Sequence, residues 1–395
     1  MINFDEIIDR TGTNSIKHAF KKAQGIPENA IPLWVADMDF RSPAAVCEHV
    51  VKAGQHGIFG YAGEVPGYFE ALYNWNLTRH NWKIEKEWVV RTPGVVTAIA
   101  AAVQAFTEKD DSVMIMSPVY FPFRGTLMNN HRRVVEHELT IGADNRFYID
   151  FEKLEQQVEQ EAVKMLIWCS PHNPGGRIWS REELQRLSDI CLRHKVLVVS
   201  DEIHYDFVFE GHTHTVYATL SEEAAQNSII CTAPSKTFNV AGLEMSNILI
   251  PNPEIRERFQ EVLNAASVHA SNMIGIEACR IAYESGAGWL DELLVYLQGN
   301  VDLVRSFLQE HIPEIRMMEP DGTYLLWLDC RGLEKVVGSA DHETLNRFFL
   351  QEAGVWFNDG FAFGENANGF FRMNIGTPRK NIQKALEQME AAIHK

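Results

Sequence analysis

Short apolar runs recur through the middle of the chain, for example Leu166-Ile167-Trp168-Cys169 and Ile229-Ile230-Cys231. Runs of this length, rich in β-branched residues and bounded by turn signals, predict strands covered on both faces. The pattern places strands at 88–91, 113–116, 134–139, 164–169, 196–200, 228–231 and 247–250. Helical periodicity falls between several of them, at 95–107, 151–161 and 181–194. Ser180-Arg181-Glu182-Glu183 opens the third of these helices as a capping box. Strands alternating with helices predict an α/β domain on a mostly parallel sheet.

After Pro253 the pattern changes. Long helical stretches are expected at 254–284, interrupted near 267–272, and at 289–311. A strand at 324–329, a helix at 342–353, a strand at 371–375 and a helix at 378–394 follow. Pro32, Pro43 and the stretch 57–67 mark irregular N-terminal segments. The expected division is a large domain of residues 46–285 and a smaller α+β domain of residues 1–45 with 286–395.

Thirty-six basic against 53 acidic residues give a net charge of −17 over 395 residues. That balance argues against a nucleic-acid partner, whose phosphates need lysine and arginine. The six cysteines form no C-x-x-C pair and read as small reduced core residues. His212-Thr213-His214 lacks a metal-ligand pattern and reads as a solvated loop, so no metal is expected. The N-terminus lacks the basic and apolar regions of a leader. The longest mostly apolar stretch, 95–106, is shorter than the roughly 20 residues of a membrane span. A cytoplasmic protein with no membrane partner is expected.

Ligands of open α/β sheets bind beyond the carboxyl ends of the strands. Here those ends lead into Thr92-Pro93-Gly94, Ser117-Pro118-Val119-Tyr120, Ser170-Pro171-His172-Asn173-Pro174-Gly175-Gly176, Asp201-Glu202-Ile203-His204 and Thr232-Ala233-Pro234-Ser235-Lys236. They offer an anion-binding turn, an aromatic ring, an amide, a carboxylate and an amine. That set suits pyridoxal 5′-phosphate. An amine must join its aldehyde, a carboxylate must keep its ring nitrogen protonated, and helix N–H groups suit its phosphate.

These motifs, with Ser235-Lys236-Thr237-Phe238-Asn239-Val240-Ala241-Gly242-Leu243 and Phe371-Arg372-Met373-Asn374-Ile375-Gly376, closely resemble the fold type I pyridoxal-phosphate enzymes of the class I/II aminotransferase superfamily. The resemblance covers almost the whole chain. It implies an aspartate aminotransferase-like fold. It implies Lys236 as the Schiff-base lysine and proton-moving base, Asp201 as pyridinium partner, Asn173 as donor to the ring oxygen and Tyr120 as stacking ring. Val95 and Val96 would give backbone N–H groups to the phosphate, and Ser235 a hydroxyl. His204 stands where the family often has tyrosine. Arg372 would clamp the substrate carboxylate. Tyr61 resembles the tyrosine that reaches the other subunit's cofactor, which implies a homodimer with a shared active site.

The chain departs from common aminotransferases at the eighth residue after the lysine. The usual phosphate-binding arginine is Glu244, which is expected to turn away from a phosphate or pair elsewhere. The serine three before the lysine is Ala233. Loss of that arginine, with Gly12-Thr13-Asn14-Ser15-Ile16-Lys17 and Pro32-Leu33-Trp34-Val35-Ala36-Asp37-Met38-Asp39-Phe40, resembles the cystathionine β-lyase branch. The second segment resembles its substrate-facing loop, so Trp34, the backbone of Val35 and Ala36, Tyr61 and Tyr120 are expected to line the substrate pocket. The expected activity is α,β-elimination of cystathionine or related cysteine S-conjugates to thiol, pyruvate and ammonia. Two alternatives stand beside it. One is an aminotransferase with the same cofactor contacts. The other is a regulatory protein that keeps the cofactor and binds a transcription factor.

Overall fold

The structure, a computed structural model, describes residues 2–19, 21–268 and 272–395. Its centre is a seven-stranded sheet: β1 (Val89–Thr92), β2 (Ser112–Ser117), β3 (Arg133–Glu138), β4 (Met165–Cys169), β5 (Leu197–Asp201), β6 (Ser228–Thr232) and β7 (Ser246–Leu249). The spatial order is β1-β7-β6-β5-β4-β2-β3. β7 runs antiparallel to both neighbours, and the pairs from β6 through β3 are parallel. Every residue of β4, β5 and β6 is buried. Strands covered on both faces have no polar side to alternate with, which is why they read as unbroken apolar runs.

The pleat still sorts their side chains. Val113, Ile115, Met165, Ile167, Val199 and Ile229 join one apolar cluster with the helix Val95–Phe106. Met114, Met116, Leu166, Trp168, Val198 and Ile230 join the other, larger core. The helix Arg181–Arg193 begins with the expected capping box, Ser180 accepting from the Glu183 N–H at 3.1 Å and Glu183 from the Ser180 N–H at 2.8 Å.

The second sheet has four antiparallel strands in the order Arg316–Met317, Leu325–Asp329, Phe370–Asn374, Asn358–Asp359. Its register puts Arg372 between Trp327 and Asn358. The short strand Ile31–Pro32 pairs with Val355–Trp356 and delivers the following loop, residues 33–40, to the face of this sheet.

All seven large-sheet strands lie within one residue of expectation. Among the described residues, three helices of eight residues or more escape the sequence pattern: Ala44–His56, Tyr68–His80 and Pro122–Asn129. In the second, Tyr68, Ala71, Leu72, Trp75 and Asn76 are buried at helical spacing, a signal masked by the aromatic and polar identities. The stretch 342–353 is α-helical only over His342–Arg347 and continues as a π-helix, Phe348–Glu352. Helices Pro253–Ala265 and Met273–Ser285 flank the expected interruption, of which residues 269–271 lie outside the described residues. Two readings are corrected. Cys47 is exposed, while the other five cysteines are buried and free. The His212–His214 segment is solvated only in part: His212 and Thr213 are exposed, His212 lying 3.3 Å from buried Asp321, but His214 is buried against Glu202 at 2.8 Å. Isolated charge and imidazole in a sequence do not reveal partners supplied from distant segments.

Gly176 ties the turn after β4 to the second sheet. Its carbonyl accepts the N–H groups of Asp321 and Gly322 at 2.9 and 3.1 Å. Its φ is +64°, and an added Cβ would stand 2.8 Å from the Pro320 Cβ and 3.0 Å from the Gly322 carbonyl oxygen. Gly176→Ala is expected to destabilise the fold by at least the ~1–2 kcal/mol of the left-handed conformation, read as a lowered calorimetric midpoint. An unchanged midpoint would contradict the close approach.

Candidate active site

The carboxyl ends of β1, β4, β5 and β6 open on one cavity of about 200 Å³. From β1 the chain turns through Pro93-Gly94 into the helix Val95–Phe106. The first intrahelical bond runs from the Ala98 N–H to the Gly94 carbonyl at 3.2 Å. The N–H groups of Val95, Val96 and Thr97 precede it, and all three residues line the cavity. A helix start with unspent N–H groups is a site for an anion. Ser235 stands at the same cavity, its hydroxyl 3.4 Å from the Met245 carbonyl oxygen.

Lys236 sits one turn past β6, on the short helix Pro234–Thr237. Its amine donates to the Ala36 carbonyl at 2.7 Å, and the Tyr324 hydroxyl donates to the same oxygen at 3.1 Å. Burial and the nearby Arg372 guanidinium lower the amine to about 8, against the opposing pull of Asp37 and Asp201. A substantial neutral fraction therefore exists near neutral pH, as a nucleophile or base requires. Asp201, the last residue of β5, accepts the Ile203 N–H at 3.1 Å. Burial raises its carboxyl to about 7, with the Ile203 bond and Lys236 acting in the opposite direction. A cation placed against it from the cavity would restore the charged form.

Asn173 gives its side-chain oxygen to Arg372 at 2.9 Å, which leaves its NH2 as the donor at the cavity. Its backbone carbonyl takes the Tyr120 N–H at 3.1 Å and so fixes that ring at the cavity edge. His204 also lines the cavity; its Nδ1 is buried without a partner. Burial, with Lys236 and Arg372 adding to it, holds the imidazole well below its usual range and therefore neutral.

Arg372 lies behind Asn173, just outside the cavity lining, and is only 2% exposed. Besides Asn173 it donates to the Trp34 carbonyl at 2.9 Å and to the Asn358 oxygen at 2.6 Å, and it lies 4.9 Å from the Phe363 ring centroid. Its Nε has no partner, and among the described residues no carboxylate lies within ion-pair distance. Burial lowers it to about 10, so it remains cationic at neutral pH.

The structure thus brings Lys236, Asp201, Asn173, Tyr120, Val95, Val96, Ser235, His204 and Ala36 to one cavity, with Arg372 adjoining. It does not bring the Trp34 side chain there, and Val35, expected to contribute its backbone, does not line the cavity. The Trp34 ring stacks on Trp356 at 4.3 Å, and the two residues contribute their carbonyls, to Arg372 and Asn374. Tyr61 is fully exposed on an irregular segment and reaches no part of the cavity within its own chain. Glu244 is exposed on a left-handed turn (φ 50°) and does not line the cavity, as expected of a carboxylate near an anion site. Lys236 is the one lysine or arginine among the lining residues. Sequence reading did not identify Thr97, Tyr324 or Asn358. Asn358 belongs to a two-residue edge strand and acts through its register with Arg372, which no local pattern announces.

The chain matches the aminotransferase class I and II family over residues 28–389. It is 41% identical over 392 residues to cystathionine β-lyase PatB of Bacillus subtilis, covering 99% of this chain and 100% of that protein. Among solved structures it is similar to cystalysin from Treponema denticola, which contains a pyridoxal 5′-phosphate cofactor, with 37% identity, a TM-score of 0.94 and coverage of 100% and 99%. The pyridoxal-phosphate-bound C–S lyase of Staphylococcus hominis aligns with 33% identity, a TM-score of 0.91 and the same coverage. With this match and the architecture above, the chain belongs to the aminotransferase class I and II family, in the fold type I of pyridoxal-phosphate enzymes.

Proposed function

We propose that the protein is a pyridoxal-phosphate-dependent carbon–sulfur β-lyase that cleaves L-cystathionine or related cysteine S-conjugates to a thiol, pyruvate and ammonia. One observation carries the reading. A lysine with a lowered pKa, a buried carboxylate and a helix start converge on one cavity, and a buried guanidinium lacking a carboxylate adjoins it. The full-length likeness to a cystathionine β-lyase and a C–S lyase favours elimination over transamination.

The residues present fit the cofactor. The Asp201 carboxylate would hold the ring nitrogen protonated, the Asn173 NH2 would donate to the ring oxygen, and Tyr120 would cover a ring face. The N–H groups of Val95, Val96 and Thr97, with the Ser235 hydroxyl, would hold the phosphate. His204, whose Nδ1 has no partner, lines the same space. When bound, pyridoxal 5′-phosphate supplies an electron sink for the pair left at Cα after its proton departs.

The chain's own residues do the rest. Arg372 holds the substrate α-carboxylate, the counter-ion that its burial otherwise lacks. Lys236 releases the Ala36 carbonyl and takes the Cα proton as its neutral amine. The thiolate then leaves Cβ with its bonding pair, and water completes the balance to pyruvate and ammonia. A thiolate is a far better leaving group than hydride, so only β-substituted substrates follow this route. Fully exposed Tyr61 supports a homodimer in which it serves the partner subunit's cavity. The domain division at 46–285, with each sheet on its own side, and a cytoplasmic location belong to the same reading.

Three outcomes test it. Lys236→Ala should abolish the visible cofactor band and nearly all turnover; a normal spectrum and rate would remove Lys236 from its role. The second concerns Asp201, whose carboxyl is raised by burial to about 7 from 3.8. The folded cofactor-free chain then binds more protons than the unfolded chain between those values, so Asp201 costs stability as pH rises through that window. Cofactor-free Asp201→Asn should melt several degrees above cofactor-free wild type at pH 8, with the difference vanishing near pH 4, while the loaded variant loses most turnover. Equal midpoints at pH 8 would contradict the buried charge. In the third, cystathionine alone should give steady pyruvate and homocysteine, and aspartate with 2-oxoglutarate little glutamate. Fast glutamate formation with negligible thiol release would replace the lyase by an aminotransferase.

A further inference from the structure

The loop of residues 33–40 has no regular structure, yet its carbonyls meet three groups of the site in succession. Trp34 accepts from Arg372 at 2.9 Å, Val35 from Asn374 at 2.6 Å and Ala36 from Lys236 at 2.7 Å. Asp37 then accepts from Asn374 at 2.7 Å, and Asn239 bonds Met38 through both its N–H and its carbonyl at 2.9 Å. These bonds are made to main-chain atoms, so they specify a path rather than a side-chain identity. Something must hold that path.

The same loop carries two carboxylates, Asp37 and Asp39, each engaged by cations of the N-terminal arm. Arg10 spans both, with Nη2 to Asp37 at 2.7 Å and Nη1 to Asp39 at 2.6 Å, and also bonds the Ser15 hydroxyl at 2.7 Å. Lys17, fully buried, donates to the Asp39 carboxylate at 2.8 Å and to the Asp37 carbonyl at 3.2 Å. His18 adds a ring nitrogen 3.4 Å from Asp39. Two arginine and lysine charges thus balance two carboxylates. Lys17 and Asp39 form the buried half of this cluster, which adds little net stability, because desolvation offsets the attraction, but removing one partner strands a charge. Its use is to specify one arrangement.

We propose that Lys17 and Arg10 are positioning residues for substrate. Their ion pairs with Asp37 and Asp39 hold the 34–37 carbonyls against Arg372, Asn374 and Lys236, so that the guanidinium meets the α-carboxylate already oriented. The arm of residues 10–18 is then part of the substrate site although none of its side chains reaches the cavity. The inference rests on the assignment of Arg372 and Lys236 above. It predicts that loosening the arm weakens substrate binding more than it slows chemistry, because Asp201, Asn173 and Ser235 make no hydrogen bond to the loop among the described residues and Lys236 gives up its Ala36 bond when it acts.

The test uses loaded enzyme and glycine, which keeps the α-carboxylate and amine but has no β-substituent to expel. Calorimetric glycine affinity, KM and kcat for cystathionine, cofactor content and deuterium uptake at 33–40 are compared in wild type, Lys17→Met, Lys17→Arg and Arg10→Gln. Lys17→Met and Arg10→Gln should weaken glycine binding and raise KM about tenfold, with kcat within threefold, full cofactor content and faster exchange at 33–40. Lys17→Arg should restore affinity. Arg10 is partly exposed, so Arg10→Gln carries the test if Lys17→Met does not fold. Unchanged glycine affinity despite faster exchange overturns the inference, as does a fall in kcat and cofactor content with KM unchanged. Failure of the lyase reading is separate: wild type would bind glycine yet release no thiol.

Discussion

Arg372 is a cation buried to 2% exposure with no anion beside it among the described residues. Transfer of a guanidinium from water costs several kcal/mol even after relaxation, and neutral acceptors recover only part of that. Asn173, the Trp34 carbonyl, Asn358 and the Phe363 face supply that part, yet the side chain is still held down to about 10. A folded protein carries such a deficit where a ligand is to fill it. The rest of the site is arranged around this charge. It lowers Lys236, it orients Asn173, and it anchors the loop whose Ala36 carbonyl holds the lysine amine.

Two sheets are needed to set that charge. The large sheet brings Asp201, Asn173 and Lys236 to neighbouring strand ends, a geometry that parallel pairing produces without special side chains. Arg372 comes from the interior of an antiparallel strand in the other sheet, where its register with Asn358 fixes its direction. The 33–40 loop, delivered by the pairing of Ile31–Pro32 with Val355–Trp356, joins the two. Arg372 and the Trp34 carbonyl it meets thus come from segments separated by more than three hundred residues, whereas Asn173, Asp201 and Lys236 lie within one domain-sized stretch.

That division explains what the sequence reveals. The buried central strands announce themselves as apolar runs, and the residues at their carboxyl ends line the cavity, so Lys236, Asp201 and Asn173 are legible. Val95 and Val96 follow from the Thr92-Pro93-Gly94 turn. The helix Tyr68–His80 is less visible, since its buried face is built of tyrosine, tryptophan and asparagine beside only Ala71 and Leu72. Asn358 and Tyr324 are invisible because they act through pairing and through a carbonyl of a distant loop. Trp34 was expected to line the pocket, yet its ring stacks on Trp356 and it is its carbonyl that meets Arg372, a distinction that residue identity does not encode. His214 and Glu202 show the same limit, since neither residue's neighbours hint at the buried pair.

The central claim is that the Arg372 charge awaits an α-carboxylate. The direct measurement is the affinity of the loaded Arg372→Leu variant for glycine and for glycinamide, which lacks the carboxylate, beside wild type. Wild type should bind glycine on the order of 100-fold more tightly than glycinamide, the equivalent of ~3 kcal/mol for two charge-assisted hydrogen bonds. In Arg372→Leu that preference should disappear while the cofactor spectrum stays intact. A variant that still prefers glycine by the wild-type factor would place the carboxylate elsewhere and leave the buried guanidinium without its function.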